Sequence, residues 1–232
     1  MLQGNLLTHG TPGVASTPSF ERVELDAHSW VDVCRGFLIG ADEVMAELIE
    51  GVAWRTGRRQ MYDREVDDPR LSRWWRDPDE VPHPALGAAR ASICAHYDRE
   101  LGGVGLNYYR DGADSVAFHR DRELRDPATT LVAIVTLGSQ RPFRLRPFGG
   151  GPSIDLGPAS GDLLVMGGRC QTEWEHGVPK VGRSVGPRVS ASWRWSPDGS
   201  HRRAQRDGYF TSRQWRAAAP GSAETGSVHA FG

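Results

Sequence analysis

The chain has 232 residues, enough for one sizeable core, and its 38% apolar and 25% charged residues are the balance of an ordinary globular domain. The 28 basic residues nearly equal the 29 acidic ones, so the chain as a whole carries almost no net charge. An anionic partner would therefore have to bind a local basic patch. Three widely spaced cysteines without a CxxC pair argue against a disulfide framework and against a cysteine zinc site.

The two ends of the sequence have the composition of tails. Residues 1–20 are rich in Gly, Thr and Pro, and residues 198–232 carry a basic cluster of five arginines and one aspartate before a small-residue end. No basic, then apolar, leader opens the chain, and no stretch approaches the roughly 18 apolar residues of a membrane span. We expect a cytoplasmic protein with a flexible N-terminal tail and a basic, then small-residue, C-terminal tail.

Two helices are predicted before residue 104. In "ADEVMAELIEGVAW" apolar residues recur at helical spacing, and Asp42 and Glu43 suit the positive end of the helix dipole. A second helix is predicted to begin at Pro84 and to be stopped by Gly102 and Gly103. Residues 21–100 are accordingly expected to supply helical support.

Beyond about residue 104 the pattern changes to short runs rich in β-branched and aromatic residues, separated by Gly and Pro. The runs are VGLNYY, SVAF, TTLVAIVTLG, PFRLRPF, DLLVMGG and RVSASWRW. Many short strands without intervening helices favour a barrel or a jelly roll, with the helices braced against it. The predicted fold is therefore mostly β with flanking helices, and residues 101–197 form its β core.

Candidate metal ligands lie in "AFHRDRE", where His119 and Asp121 would point to the same face of a strand. A lone HxD in a chain with eight histidines is more often surface decoration, so a third ligand is needed. His176, in "TEWEHGV", is far enough along the chain to return on a distant strand of the same sheet system. Two histidines and one carboxylate on a β scaffold form the facial triad typical of non-haem Fe(II) oxygenases.

The last run, "RVSASWRW", has one wholly polar face and one wholly apolar face. The polar face comprises Arg188, Ser190, Ser192 and Arg194, and the tryptophans Trp193 and Trp195 of the other face fit buried packing. One interpretation is an ordinary surface strand, in which the polar face is exposed to solvent. The two arginines, about 20 Å apart along a strand, could instead lean toward each other and hold opposite ends of a short dicarboxylate.

The order NxYxxG, HxD, H and an arginine-bounded final strand resembles the AlkB-like family of Fe(II)- and 2-oxoglutarate-dependent dioxygenases. The matching segments are NYYRDGADSVAFHRDRE, GDLLVMGG and HGVPKVGRSVGPRVSASWR. The resemblance covers residues 100–196 and, more loosely, "RRQMYDREVDDPRLSRWW". It implies that the core is a double-stranded β-helix, the jelly roll of that family.

The resemblance also implies the roles of individual residues. Fe(II) ligands correspond to His119, Asp121 and His176, and 2-oxoglutarate contacts to Asn107, Tyr109, Arg188, Ser190 and Arg194. Arg188 would pair with the distal carboxylate and Arg194 with the end near iron. The family commonly carries Asn and Thr where this chain has Ser190 and Ser192, and serine keeps a hydroxyl but shortens the reach.

On the substrate side, family members oxidise the N-methyl group of a damaged base, so the implied partner is DNA or RNA. The stretch from Trp54 to Arg76 holds seven arginines against four acidic residues and corresponds to the family's nucleotide-recognition lid. Met61 and Tyr62 are the candidates for base contact, whereas Trp74 and Trp75 are expected to pack into the core. Glu123 is a candidate acceptor for an exocyclic amino group of the base, the alternative being a solvated edge glutamate.

The leading interpretation is a monomeric enzyme that dealkylates 1-methyladenine- or 3-methylcytosine-type bases in DNA or RNA, releasing formaldehyde, with Fe(II) and 2-oxoglutarate as cofactors and no membrane partner. Two alternatives stay open: the same oxygenase chemistry on a protein or small molecule, and a catalytically inactive nucleic-acid-binding module. The sequence does not decide between DNA and RNA, or between single and double strands.

Overall fold

The computed structural model of the protein describes residues 11–61, 64–121, 124–125, 128–182, 184–199 and 216–217, of which 59–61, 64–65 and 216–217 are described by their backbone alone. The helices are Ala41–Gly51 (α1), Pro84–Tyr97 (α2) and Cys170–Glu173 (α3). The strands are Gly13–Val14 (β1), Glu21–Glu24 (β2), Ser29–Cys34 (β3), Leu38–Ile39 (β4), Arg55–Met61 (β5), Arg64–Trp74 (β6), Gly105–Tyr109 (β7), Val116–His119 (β8), Thr130–Gly138 (β9), Arg144–Pro147 (β10), Ile154–Asp155 (β11), Leu163–Gly168 (β12), Trp174–Val178 (β13), Arg188–Trp195 (β14) and Arg216–Ala217 (β15).

Two antiparallel sheets form the predicted jelly roll. The large sheet has the order β15-β5-β6-β7-β14-β9-β12-β3-β2, and the small sheet has the order β11-β10-β13-β8. The pair β1 and β4 forms a separate two-stranded ribbon. The mostly β fold with flanking helices is thus confirmed.

Side chains alternate along the strands of the large sheet, and β9 and β12 are apolar on both faces because each face packs against a core. One set of residues packs with α1 and α2 in an outer core that includes Leu137, Leu163, Val189, Ala191 and Trp193. The other set faces the small sheet in an inner core that includes Val132, Ile134, Leu145, Leu164 and Val178. Because Val189, Ala191 and Trp193 face the helices, the alternate residues of β14 point into the space between the two sheets.

The helices are where the sequence places them, but α2 is shorter than predicted. It begins at Pro84 as expected, yet it ends at Tyr97, because Asp98 adopts a left-handed conformation with φ of 51° and caps the helix. Gly103 has a different role: a Cβ at this position would lie 2.1 Å from the carbonyl oxygen of Trp75. This glycine allows two backbone segments to pass close together, and it does not stop the helix.

Residues 21–100 contain more β structure than the predicted helical support. They supply α1 and α2, but also β2 to β6, and β2, β3, β5 and β6 all extend the large sheet. Within the predicted N-terminal tail, Gly13–Val14 pairs with Leu38–Ile39, so this segment is anchored, while residues 1–10 lie outside the described part of the chain. In the predicted C-terminal tail, residues 216–217 pair with β5. Residues 200–215 and 218–232 of this tail lie outside the described part of the chain.

None of the described helices is long and apolar enough to cross a bilayer.

Two isoleucines of contrasting burial test this packing. Ile93 on α2 is 1% exposed in the outer core, whereas Ile39 on β4 is 52% exposed. We expect Ile93→Ala to lower the free energy of unfolding by about 2 to 5 kcal/mol, because the core cannot fully close around the lost side chain. The control Ile39→Ala should cost less than about 1 kcal/mol. Urea denaturation followed by circular dichroism measures both, and equal losses would contradict the described packing.

Candidate metal centre and cofactor pocket

The three predicted metal ligands come together between the sheets. Strands β8 and β13 are antiparallel neighbours, and His119 lies opposite His176 in their register, with ring centroids 4.3 Å apart. Asp121 lies two residues beyond the end of β8, and the ligand atoms of all three side chains lie within 4.8 Å of one another. Two details differ from the prediction: His176 lies on the adjacent strand rather than a distant one, and Asp121 lies just beyond the strand end.

Gln171 explains the position of Asp121. The backbone N–H of Asp121 donates to the Oε1 atom of Gln171 at 2.8 Å. Gln171 is buried on the four-residue helix α3. A helix this short has no periodicity that a sequence pattern could reveal, so Gln171 was not among the predicted site residues.

The orientation of His119 is set by its own strand. Its Nδ1 atom lies 2.9 Å from the carbonyl oxygen of Ala117, and because that oxygen only accepts, Nδ1 carries the proton. In the neutral imidazole the Nε2 atom is then the acceptor, and it lies 3.7 Å from Oδ1 of Asp121. Phe143 stacks on the ring of His176 at 5.6 Å, which holds the second imidazole. The arrangement presents one nitrogen of His119 and one carboxylate oxygen toward a common point.

The protonation states of the buried ligands also suit a metal. Burial lowers the pKa of His176 to about 3, and the neighbouring His119 adds to the effect, so the imidazole is neutral at neutral pH. Burial by itself would raise the pKa of the Asp121 carboxyl, but Arg194 and the two imidazoles outweigh it and hold this pKa well below its usual range. Neutral imidazole and ionised carboxylate are the forms that bind metal ions.

Arg188 forms the other end of the site. Its side chain is fully buried, and its Nη2 atom donates to the Oγ1 atom of Thr136 at 3.1 Å. Among the described residues, its Nε and Nη1 atoms have no hydrogen-bond partner. Burial, followed by the repulsion of Arg141, lowers the pKa of Arg188 to about 10, so the guanidinium is still charged at neutral pH. A buried cation with unpaired donors is costly unless an anion reaches it.

Arg194 lies at the metal end of the same strand face. Its Nε atom donates to Oδ2 of Asp121 at 2.7 Å and its Nη1 atom to the Oγ atom of Ser192 at 3.3 Å. Ser192 in turn donates to the carbonyl oxygen of Gly105, so its hydroxyl is already committed. The face of β14 therefore runs from a cation beside the metal ligands to a second cation deep between the sheets.

Asn107 and Tyr109 line this face from the neighbouring strand β7. Asn107 lies opposite Ser190 and Tyr109 lies opposite Arg188, with the guanidinium 5.8 Å from the tyrosine ring centroid. The Oδ1 atom of Asn107 accepts from Nε of Arg70 at 3.1 Å and from the hydroxyl of Ser72 at 3.0 Å. Since arginine can only donate, this contact fixes which end of the amide faces the hairpin, and the NH₂ group is left as a donor for a ligand.

The predicted substrate contacts and the predicted core tryptophans are the remaining residues of the sequence analysis. Tyr62 and Glu123 lie outside the described residues, and Met61 ends β5 with its side chain undescribed. Trp193 is fully buried, as predicted. Trp74 packs against Gly105, where a Cβ would lie 2.5 Å from the indole ring, and it also lies 4.8 Å from the Arg194 guanidinium. It therefore supports the metal-side arginine.

A comparison with protein families matches residues 43–206 to the 2OG-Fe(II) oxygenase superfamily. The chain belongs to this superfamily, and within it to the AlkB-like family. Its cofactors are accordingly Fe(II) and 2-oxoglutarate, and it is a dioxygenase. The buried, unpaired Arg188 donors and the clustered His119, Asp121 and His176 ligands fit these two groups.

The relatives include "Alpha-ketoglutarate-dependent dioxygenase alkB homolog 3" of Bos taurus, which is 30% identical over a 200-position alignment that covers 75% of this chain and 69% of the relative. The human "DNA oxidative demethylase ALKBH2" is 27% identical over a 211-position alignment that covers 80% of each chain. The match to human alkB homolog 3 covers only 61% of that protein. Among solved structures, a prolyl hydroxylase from Trichoplax adhaerens superposes with a TM-score of 0.55 at 13% identity, covering 74% of this chain and 85% of that one, which shows the likeness of fold.

Two buried arginines with opposite surroundings test the cofactor pocket. Arg188→Met removes a buried charge whose Nε and Nη1 atoms have no partner among the described residues, so without 2-oxoglutarate the variant should be at least as stable as the wild type. Arg141→Met should instead lose about 3 kcal/mol or more, because Arg141 donates to the carbonyl oxygens of Asp111, Asp114 and Pro179.

Ligand-induced stabilisation completes this test. With Mn(II) standing in for Fe(II), 2-oxoglutarate at 100 times its Kd should stabilise the wild type by about 2.7 kcal/mol. The same concentration should stabilise Arg188→Met hardly at all. Urea denaturation with and without 2-oxoglutarate measures both effects. A large loss of stability in ligand-free Arg188→Met, or an unchanged response to 2-oxoglutarate, would show that this guanidinium is not held for an anion.

Proposed function

We propose that this dioxygenase removes N-methyl groups from bases of DNA or RNA, of the 1-methyladenine or 3-methylcytosine type, and releases formaldehyde. The observation that carries the proposal is the direct link between the arginine-rich hairpin β5–β6 and the cofactor pocket, made by the hydrogen bond from Arg70 to Asn107. A polyanion held on the hairpin would lie beside the metal centre. The names of the relatives alkB homolog 3 and DNA oxidative demethylase point the same way.

In this proposal His119, Asp121 and His176 hold Fe(II), and Arg188 pairs with the distal carboxylate of 2-oxoglutarate. When bound, iron and 2-oxoglutarate supply the oxidising chemistry, in which oxygen is consumed, 2-oxoglutarate becomes succinate and carbon dioxide, and the methyl group leaves as formaldehyde. Three protein ligands leave coordination positions open for cofactor and oxygen. The task of the protein is placement rather than acid–base catalysis.

The side chains around the metal fix where each ligand atom points. Arg194 engages Oδ2 of Asp121 and leaves Oδ1 on the side of His119, so one oxygen faces the metal position. Gln171 holds the backbone of Asp121 in place. The NH₂ group of Asn107 and the ring of Tyr109 would complete the cofactor contacts on β7, and Ser190 lies opposite Asn107 on β14, between the two arginines along that strand. These groups are preorganised by the sheet, so binding requires little rearrangement.

The substrate side rests on the hairpin. Its arginines include Arg55, Arg58, Arg70 and Arg73, and Arg58 forms an ion pair with Asp67. Such a surface suits the phosphate backbone of a nucleic acid. Met61, Tyr62 and Glu123 are proposed to contact the extruded base, Glu123 by accepting a hydrogen bond from its exocyclic amino group. A cytoplasmic, monomeric enzyme stays a prediction.

The activity itself is tested by formaldehyde release. The wild type, with Fe(II), 2-oxoglutarate and oxygen, should release formaldehyde from oligonucleotides that carry 1-methyladenine or 3-methylcytosine. His119→Ala should lower the rate by at least about 100-fold, since the metal loses a ligand. The control His96→Ala changes an exposed histidine on α2 and should leave the rate unchanged. Absence of turnover by the wild type on both DNA and RNA would refute the proposal.

The role of the Arg70–Asn107 contact is tested by the cofactor concentration dependence. Arg70→Met should raise the KM for 2-oxoglutarate by about 10-fold, because the Asn107 amide oxygen loses the one of its two donors that fixes the amide orientation, while kcat at saturation changes much less. Arg58→Met on the same hairpin is the control for lost positive charge, and its KM for 2-oxoglutarate should stay near the wild-type value. Equal KM values in the two variants would mean that Arg70 acts only through its charge.

A further inference from the structure

The tip of the hairpin formed by β10 and β11 exposes apolar side chains beside the metal centre. Ile39, Phe148 and Ile154 are the large hydrophobic side chains found exposed in the described part of the chain, and two of them belong to this hairpin. Phe148 is 56% exposed and Ile154 is 38% exposed. Between them the turn contains glycines with positive φ, and at Gly149 and Gly150 an added Cβ would meet no atom within 4 Å. The tip is therefore open to a partner.

Phe148 is exposed, but its position is fixed. Its backbone N–H donates to the carbonyl oxygen of Glu173 at 2.8 Å, which anchors it to α3. The guanidinium of Arg120 lies 3.5 Å from the centre of the Phe148 ring, and its Nη1 atom donates to the carbonyl oxygen of Thr172 at 2.7 Å. Thr172 follows Gln171, the residue that holds Asp121. One face of the ring is thus covered by a cation, and the residue as a whole is still 56% exposed, which leaves ring surface away from Arg120 accessible.

The pair of Arg120 and Phe148 lies next to the metal ligands. Arg120 stands between His119 and Asp121 in the chain, and Phe118, on the other side of His119, forms a second pair with Arg146, whose guanidinium lies 3.9 Å from its ring centroid. The two pairs differ in charge. Arg146 is neutralised by Glu175 at 2.5 Å, whereas Arg120 forms no ion pair within the described ranges.

The chemistry of Arg120 and Phe148 indicates which kind of molecule would bind them. An aromatic ring with one open face offers a stacking platform that accepts any base, and a guanidinium beside it attracts phosphate. A folded protein would need a broad apolar surface, but here two apolar side chains are separated by an open glycine turn. A single strand of nucleic acid satisfies both the ring and the charge.

We propose that Phe148 and Arg120 form a stacking site for a nucleotide that flanks the target base in single-stranded DNA or RNA. This inference rests on the proposed function and names a contact that recognises the polymer rather than the lesion. A flanking base stacks on the open face of Phe148, and its phosphate lies near Arg120. The site therefore contributes to the binding of an oligonucleotide and leaves the binding of a free methylated nucleotide unchanged.

The test measures binding without turnover. The protein is loaded with Mn(II) and 2-oxoglutarate, and fluorescence anisotropy gives the Kd for a single-stranded oligonucleotide. Phe148→Ala and Phe148→Leu should each weaken binding by about 5- to 100-fold, and Phe148→Trp should bind at least as tightly as the wild type, because stacking of one base is worth about 1 to 3 kcal/mol. The matched control Ile154→Ala, on the same hairpin, should leave the Kd unchanged.

Two further readouts separate stacking from other effects. Arg120→Gln should reduce the slope of log Kd against log salt by about 0.7, the loss of one phosphate contact on a single strand. The Kd of each Phe148 variant for a methylated nucleoside monophosphate should equal that of the wild type, and its 2-oxoglutarate binding should be retained, which shows that the metal centre is intact.

Several results would overturn the inference. They are an oligonucleotide Kd that is unchanged in Phe148→Ala, a full recovery of binding in Phe148→Leu, and an equal loss in Ile154→Ala. The last two would point to an apolar contact of the kind a protein partner makes. The binding assay involves no turnover, so the two proposals can fail separately. If the wild type releases formaldehyde but oligonucleotide binding does not depend on Phe148, the stacking site alone is refuted. Phe148-dependent binding without any formaldehyde release would refute the demethylase function alone.

Discussion

The constraint on which the site depends is a guanidinium enclosed between two sheets. Successive side chains of β14 point to opposite faces of the sheet. Val189, Ala191 and Trp193 occupy the outer core, so Arg188 points into the space between the two sheets. No shift of register can expose Arg188 without burying polar groups against the helices. The fold therefore holds a charge that its own described residues satisfy only through Thr136. Such a group is tolerated where an anionic ligand is to bind.

Each of the two sheets contributes different residues to the site. The small sheet contributes His119 and His176 through the register of β8 and β13, and the large sheet contributes Arg188 and Arg194 through β14. The contact that joins the two halves is the ion pair between Arg194 and Asp121. Because of this pair, the metal position and the cofactor face keep a fixed relation, which oxidation of a bound substrate requires.

The two proposed substrate surfaces both connect to this junction. The hairpin β5–β6 reaches the cofactor pocket through Arg70, and the hairpin β10–β11 reaches the metal ligands through the contact of Phe148 with Arg120. The two hairpins belong to different sheets, so a strand of nucleic acid could contact both as it crosses the metal centre. Affinity for the polymer and alignment of the target base would then come from different parts of the fold.

Much of the site could be predicted from the sequence, because its signals are local or ordered. The HxD pair, His176 and the alternating final strand each carry a short pattern, and their order along the chain matched a family. What the sequence did not reveal depends on contacts between distant segments. Gln171 acts from a single turn of helix, and β3, β5 and β6 join the large sheet through pairings that no local pattern encodes.

The end of α2 was misplaced for a related reason. Gly102 and Gly103 looked like a helix stop, but Asp98 ends the helix in a conformation that a sequence pattern assigns first to glycine. Gly103 is required by the close passage of the chain near Trp75, a contact made only in the folded state. The candidate base contacts Met61, Tyr62 and Glu123 stay predictions.

The most direct test of this account is a crystal structure of the protein grown with Mn(II) and 2-oxoglutarate under anaerobic conditions. The account predicts one metal ion bound by His119, Asp121 and His176, with the distal carboxylate of 2-oxoglutarate on the Nε and Nη1 atoms of Arg188 and the other end beside Arg194. A dicarboxylate that binds elsewhere and leaves these two nitrogens unpaired, or a metal held by other residues, would contradict it.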